Sequence, residues 1–155
     1  MTQWKMPPVA KVYEALSALT NGRVRITAPG RAEVVSSSGE KTYSVTWSED
    51  GRQISSNDNA SVWQGYTGYP IIAVLLFTGR IAHDPAIAGL LGGVPWHDLN
   101  ERFKRDYDAA VESVLQGIEI RGGDRLAIVS EVEVIYRQLE GLGLERGPRV
   151  ARPKQ

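Results

Sequence analysis

Cysteine is absent from this chain of 155 residues, so disulfides, thiolate metal ligands and a cysteine nucleophile are excluded together. Histidine is scarce, with two in all, which leaves few imidazoles for metal binding or acid–base chemistry. Neither sign of charge is in excess. The 18 Lys and Arg balance 18 Asp and Glu, so no overall field steers the chain toward nucleic acid or an anionic membrane, and such binding must come from a local patch. Long hydrophobic runs are missing as well: the longest, Ile71 to Phe77, has seven residues. A membrane helix needs roughly 20. The opening MTQWKMPP lacks the apolar core of a signal peptide, and the expected location is cytoplasmic. No linker, repeat or low-complexity segment divides the sequence, and its length suits one domain that buries a core without disulfides or metal.

Turn signals and apolar alternation organise the first half. Pro7-Pro8 followed by VAKVYEALSAL predicts an amphipathic helix, with Val9, Val12, Leu16 and Leu19 on one stripe, Asn21-Gly22 as its stop, and a role in covering a sheet. RVRIT at 23–27 predicts a short strand, joined through Pro29-Gly30 to RAEVVSSS at 31–38 and then across Gly39 and Glu40 to KTYSVTWS at 41–48. In the last of these Tyr43, Val45 and Trp47 alternate with Thr42, Ser44 and Thr46, giving a three-stranded antiparallel meander with one apolar face. Asp50-Gly51 marks another turn, ISSNDNASVWQGYTG reads as a loop, and the run Ile71 to Phe77 reads as a buried helix with Pro70 at its start and Gly79 past its end.

A β-hairpin, a polar loop and a hydrophobic helix over residues 31–79 resemble a SWIM-type zinc finger, whose pattern is a hairpin, Cys-x-Cys, a loop, then Cys-x-His opening a helix. Where that family has its first ligands this chain has Ser55, Ser56 and Asn57, and where it has Cys-x-His this chain has Gly68, Tyr69 and Pro70. Of the loop's side chains only Asp58 could ligate zinc, so no metal site is carried over and no cofactor is expected. What the resemblance implies is a metal-free binding module for nucleic acid or protein.

The second half is helical. Asp84-Pro85 has the form of an N-cap and first helical position, and Gly92-Gly93 closes the short helix AIAGLL. A longer helix is expected from Asp98 to Ile118, with Asp98 and Glu101 as a capping box and Leu99, Phe103, Tyr107, Ala110, Val114 and Ile118 as its stripe. Gly122-Gly123 breaks it and Asp124 caps a last helix, where Ile128, Val132, Ile135, Leu139 and Leu142 recur at four- and three-residue steps. These two helices should form an antiparallel hairpin. Val129, Val134 and Tyr136 lie off that stripe and offer surface for a dimer.

Catalytic candidates are thin. His83-Asp84 and His97-Asp98 resemble acid–base dyads on paper, but both aspartates read as helix caps. No Gly-x-Ser-x-Gly surrounds a serine, and Gly92-Gly93, Gly122-Gly123 and Gly141-x-Gly143 read as helix stops and not as phosphate loops. Asn57, Asp58 and Asn59 lack the spacing and terminal Glu of a calcium loop.

Binding candidates are better. Trp63, Tyr66 and Tyr69, set among small polar residues with Gln64, Asn57 and Asn59 as hydrogen-bonding neighbours, could stack on bases or anchor a protein, or could instead be buried to staple the loop. The end of the chain carries Arg146, Arg149, Arg152 and Lys154 between Pro148 and Pro153, an extended basic tail that is either solvated or applied to phosphates. The sequence thus predicts an α+β domain over 1–145, with a ββα unit at 31–79, a helical part at 84–142 and a basic tail at 146–155. The expected function is non-enzymatic binding of a protein partner, a second copy of the chain, or nucleic acid. The competing reading is a small hydrolase or transferase that uses His83 or His97 with a nearby carboxylate, and it requires one of them in a pocket beside Asp58 or Ser56.

Overall fold

Backbone hydrogen bonds in the computed structural model, which describes residues 2–152, order the elements as helix α1 (Ala10–Thr20), strands β1 (Val24–Ala28), β2 (Arg31–Val35), β3 (Thr42–Trp47) and β4 (Gln53–Ser56), and a π-helical turn (Ala60–Gln64). Helices α2 (Tyr69–Phe77), α3 (Pro85–Gly89), α4 (Trp96–Arg102), α5 (Tyr107–Ile120) and α6 (Arg125–Leu142) follow, and a short strand β5 (Glu145–Arg146) closes the set. The fold is α+β, with a mostly antiparallel five-stranded sheet in the order β1-β2-β3-β4-β5. No helix among the described residues is long and apolar enough to cross a membrane.

The meander is larger than its three expected strands. Gln53–Ser56 pairs antiparallel with β3, placing Trp47 opposite Ile54 and Val45 opposite Ser56, and β5 adds in parallel with Glu145 opposite Gln53. A run with one apolar residue in four becomes a strand because partners on both sides satisfy its backbone. The β2–β3 connection is also longer than a Gly39-Glu40 turn: Ser36 N–H donates to Lys41 O at 2.9 Å and Lys41 N–H to Ser36 Oγ at 3.1 Å.

Helix α1 does not cover the sheet. That place belongs to α2, whose residues Pro70 to Leu76 are all buried and which packs against β1, β2, β3 and β4. Helix α1 lies on α2 and against α3, α5 and α6, so every residue from Ala10 to Ala18 is buried, Lys11, Glu14 and Ser17 included. Its second face is made of Ala10, Ala15, Ser17 and Ala18, small enough for neighbouring helices to approach, while Val9 falls off the stripe into solvent. Ser17 completes this contact by donating to Leu91 O at 2.6 Å and accepting from Trp96 Nε1 at 2.8 Å.

The single helix expected over 98–118 is two. Phe103 ends α4, Lys104 and Arg105 follow with left-handed φ of 53° and 66°, and Asp106 caps α5 by accepting from Ala109 N–H at 3.1 Å. The expected capping box does not form: Pro95 occupies the N-cap of α4 and Asp98 sits within its first turn. The capping carboxylate three residues before Ala109 outcompetes helix continuation, and the stripe from Leu99 to Ile118 is divided between two helices. Asp84 and Asp124 do cap as expected, accepting from Ala86 N–H at 3.0 Å and from Leu126 and Ala127 N–H at 3.0 and 3.2 Å. Helices α5 and α6 form the C-terminal hairpin, with Ile128, Val132, Ile135 and Leu139 buried. Val129 and Val134 are exposed, whereas Tyr136 turns inward to donate to Pro7 O at 2.8 Å.

Candidate functional site

The loop between β4 and α2 is held by a buried carboxylate. Asp58 accepts from Ser61 N–H at 3.1 Å and from Ser61 Oγ at 2.8 Å, and Ser61 Oγ in turn accepts from Gly68 N–H at 3.1 Å. Gly68 makes room for this arrangement, since a Cβ at that position would lie 2.1 Å from Asp58 Oδ2. Asn57 is buried beside it and structural: its Oδ1 accepts from Ser44 N–H at 2.9 Å and its Nδ2 donates to Ala151 O at 2.7 Å. Both amide ends are thereby committed to the fold, so Asn57 is a brace and not a free contact residue.

Stapling of the loop by polar bonds leaves its aromatics for other uses. Trp63 is 72% exposed on the π-helical turn, so of the two readings of the aromatics, burial that staples the loop does not apply to it. Gln64 and Asn59 are exposed beside it. Tyr66 is half-buried, and Tyr69 packs edge-on against Tyr43 with ring centroids 6.2 Å apart. Burial, then the neighbouring Tyr43 hydroxyl, pushes the Tyr69 phenol well above its ordinary range. Tyr69 is thus a wall, and Trp63 is the exposed aromatic.

Trp63 and Asn59 stand on a ridge between two depressions. On one side is a cleft of about 1020 Å³, bounded by the loop, by α1 and by the α4–α5 junction. Its floor holds Lys11 and Glu14, whose Nζ and Oε2 are 3.1 Å apart, and Asn100 Nδ2 donates to Glu14 Oε1 at 3.3 Å. Glu14 Oε2 accepts no well-aligned hydrogen bond although the residue is buried, and the Lys11 ammonium also lies 4.3 Å from the centre of the Tyr107 ring. Burial raises the Glu14 carboxyl above its usual value, against the pull of Lys11 and Asn100. For Lys11, burial acts downward, but the Glu14 charge and Tyr107 outweigh it and the net shift is upward. Tyr43, Tyr66, Tyr69 and Tyr107 line the walls, and Lys104 and Arg105 form the lip. Neither lip cation is in an ion pair among the described residues. Each left-handed residue there stores roughly 1–2 kcal/mol of backbone strain.

On the other side of the ridge is a groove of about 820 Å³, lined by Lys41, Val62, Arg149, Val150 and Arg152 together with Asn57, Asn59, Trp63 and Ala151. Three cations and no carboxylate face it. The C-terminal segment is not a solvated tail: β5 pairs with β4, Gly147 N–H donates to Ile54 O at 3.3 Å, and the Asn57 amide holds Ala151. Arg149 and Arg152 are exposed along the groove. Arg146 is otherwise engaged, with its guanidinium 4.7 Å from the Trp4 ring centre and donating to Ser61 O at 3.3 Å. Lys154 lies outside the described residues.

Of the two histidines, His97 lines the cleft, half-exposed, with Nε2 3.3 Å from Glu101 Oε1 one turn along α4. His83 is half-buried before the Asp84 cap, away from the cleft lining. Among the described residues no group of three or more His, Asp or Glu side chains is placed to hold a metal ion. The expected contact residues Trp63, Gln64, Tyr66, Tyr69 and Asn59 do converge on the cleft. Lys11, Glu14, Tyr107, Lys104 and Arg105 join them unforeseen. The signal for the first two was a Lys-x-x-Glu pair inside a helix whose other positions are mostly small or apolar.

Residues 4–145 match the family model described as uncharacterised conserved protein UCP014422. The chain belongs to that family. Trp4, which receives the Arg146 guanidinium, opens the UCP014422 match, and the staple, the ridge and every cleft residue named above fall inside it. Arg149 and Arg152 lie beyond its end. No curated protein and no solved structure matches the chain.

Proposed function

We propose that this UCP014422 protein is a non-enzymatic nucleic-acid-binding module that lays a single strand over the Trp63 ridge with its phosphates in the groove. The observation that carries this reading is the 72% exposure of Trp63 at the border of a groove lined by Lys41, Arg149 and Arg152 without a carboxylate. A bare indole stacks on any base, contributing roughly 1–3 kcal/mol per base, and cations without partners of their own release counterions when a phosphate replaces them. The balanced net charge is no obstacle, because what a strand meets is the local field. Under this reading residues 31–79, from the β2–β3 hairpin through the loop to α2, would be a metal-free counterpart of a SWIM finger, with the Asp58–Ser61–Gly68 bonds standing where a metal would.

Fluorescence anisotropy of labelled single-stranded and duplex oligonucleotides, at low and physiological salt, tests the proposal. Single strands should bind more tightly than duplex, and binding should weaken with salt and fall about tenfold or more in Trp63→Ala. No binding at low salt would refute it. The alternative, a hydrolase or transferase using His97, draws on that imidazole's place at the cleft. Its carboxylate partner is Glu101 one turn along the same helix, both side chains exposed to water, and on the binding reading His97→Ala should leave oligonucleotide binding unchanged.

A further inference from the structure

We propose that the cleft beside the ridge is a site for a single nucleotide, taking the base among the tyrosines down to Lys11 and Glu14 and the phosphate on Lys104 and Arg105. This rests on the nucleic-acid reading for its choice of ligand, but uses a different cavity and different residues. From the floor outward the cleft presents a buried donor–acceptor pair, then aromatic rings, then two cations. A nucleoside 5′-monophosphate presents its groups in the same order: base edge, ring face, phosphate.

The floor is the part that asks for a ligand. Glu14 is 6% exposed and lines the cleft, and its Oε2 is enclosed with the Lys11 ion pair as its polar contact, so a base reaching the pair must displace little but the ion pair itself. Lys11 Nζ sits 3.1 Å away with one ion-pair contact to Glu14 and one ring contact to Tyr107, so its ammonium keeps a proton for a further acceptor. Together they form a carboxylate acceptor beside an ammonium donor. Every nucleobase carries a donor next to an acceptor on its pairing edge, and enzymes and binding proteins that take a base out of the stack read that edge between aromatic walls. Tyr43 and Tyr69 are already fixed against each other edge-on, which pre-forms one wall, and Tyr66 and Tyr107 supply the rest. At the lip, Lys104 and Arg105 occupy left-handed backbone immediately after α4, which carries both cationic side chains to the cleft mouth instead of along a continuous helix. Asp58 and Glu101 also line the cleft as carboxylates, Asp58 buried against Ser61 and Glu101 beside His97, so the phosphate is held at the lip on Lys104 and Arg105 and away from both.

Isothermal titration of the full chain with the four ribonucleoside 5′-monophosphates, with ribose 5-phosphate and inorganic phosphate as comparison ligands, tests the site. At least one nucleotide should bind one to one and about tenfold or more tighter than ribose 5-phosphate. The double variant Lys104→Gln with Arg105→Gln, both exposed positions, should weaken that binding about tenfold with an unchanged melting temperature. Lys41→Gln with Arg149→Gln, on the far side of the ridge, should weaken oligonucleotides and leave the mononucleotide alone. Equal affinity for ribose 5-phosphate, loss of mononucleotide binding through the groove variant, or no nucleotide binding up to about 10 mM would overturn the assignment. Should oligonucleotides still bind when no mononucleotide does, the ridge and groove stand and the cleft falls. Should a mononucleotide bind when no oligonucleotide does, the cleft stands and the ridge falls.

Discussion

Replacing Gly68 by Ala should destabilise this protein far more than a Gly-to-Ala change at an unstrained position normally does. Gly68 has φ of −72° and ψ of 171°, a conformation in which alanine is at ease, so the backbone itself imposes no penalty. The obstacle is Asp58, whose Oδ2, Cγ and Oδ1 would lie 2.1, 2.8 and 3.0 Å from the new methyl. A contact at that distance cannot be absorbed by small shifts, and the carboxylate must leave its seat. It then gives up its bonds to Ser61 N–H and Ser61 Oγ, and Ser61 loses its place as acceptor for Gly68 N–H. At about 1.5–3 kcal/mol for each of the two charge-assisted bonds, the loss comes to roughly 3–6 kcal/mol. Urea denaturation followed by circular dichroism at neutral pH measures it. Gly79→Ala is the contrast: φ there is +79° with open space around the position, so about 1 kcal/mol is expected from conformation alone. A double-mutant cycle isolates the cause, because in an Asp58→Ala background the methyl meets no carboxylate and Gly68→Ala should cost roughly 1 kcal/mol or less. A Gly68→Ala loss under about 1 kcal/mol, or one of equal size in the two backgrounds, would show that Asp58 is not the staple.

Four further outcomes are expected. Trp63→Ala should change unfolding free energy by no more than about 0.5–1 kcal/mol, because the side chain is mostly in water, while lowering oligonucleotide affinity in anisotropy; a large stability loss would place Trp63 in the core after all. Ser17→Ala should cost roughly 2–4 kcal/mol in the same denaturation assay, since it leaves Trp96 Nε1–H and Leu91 O unpaired in the core. Lys104→Gly should raise stability by roughly 0.5–1 kcal/mol by relieving a left-handed lysine, yet weaken mononucleotide binding in calorimetry, a trade expected where strain serves a site. Glu14 titrates above its usual value of 4.5, so the folded state holds this proton more tightly than the unfolded chain. Its contribution is fully present below pH 4.5 and is lost as pH rises through the folded value. The stability difference between wild type and Glu14→Gln should therefore fall across that window, and a rise would mean that Lys11 outweighs burial.

The elements that could be read from sequence are those whose signals are local. Asp84-Pro85, Asp124 after Gly122-Gly123, and the apolar run after Pro70 each combine a cap or breaker with a periodic or continuous apolar pattern, and each forms where expected. The misses are elements whose cause lies elsewhere in the chain. Gln53–Ser56 becomes a strand through β3 and β5, the latter some ninety residues away. The break at Lys104 and Arg105 has no Gly, Pro or Asn to announce it, and Lys and Arg by propensity continue a helix. Burial of α1 on all sides depends on four later helices meeting it, so Lys11 and Glu14 show locally only as an ion pair among small and apolar residues, a weak signal of their burial. The site divides along the same line. Trp63 and Gln64 stood out by composition, whereas the cleft draws its floor from α1, its walls from β3, the loop and α5, and its lip from the α4–α5 junction, which no single window contains.

A chain with no net charge can still present a basic groove beside the ridge, because Lys41, Arg149 and Arg152 gather there without a carboxylate among them. Glu33, Glu112, Glu119 and Glu133 are bound to Arg25, Arg125 and Arg137, and Asp84, Asp106 and Asp124 each accept from helix N-termini. Lys41, Arg149 and Arg152 on one side of Trp63, and Lys104 and Arg105 on the other, have no such partner among the described residues. Charges farther off than a Debye length of about 8 Å are largely screened in physiological salt, so a strand laid in the groove as proposed would feel chiefly these local cations. The Asn57 brace matters to that groove: by holding Ala151 it keeps Arg149 and Arg152 along it beside Lys41, and makes the end of the described chain one of its walls.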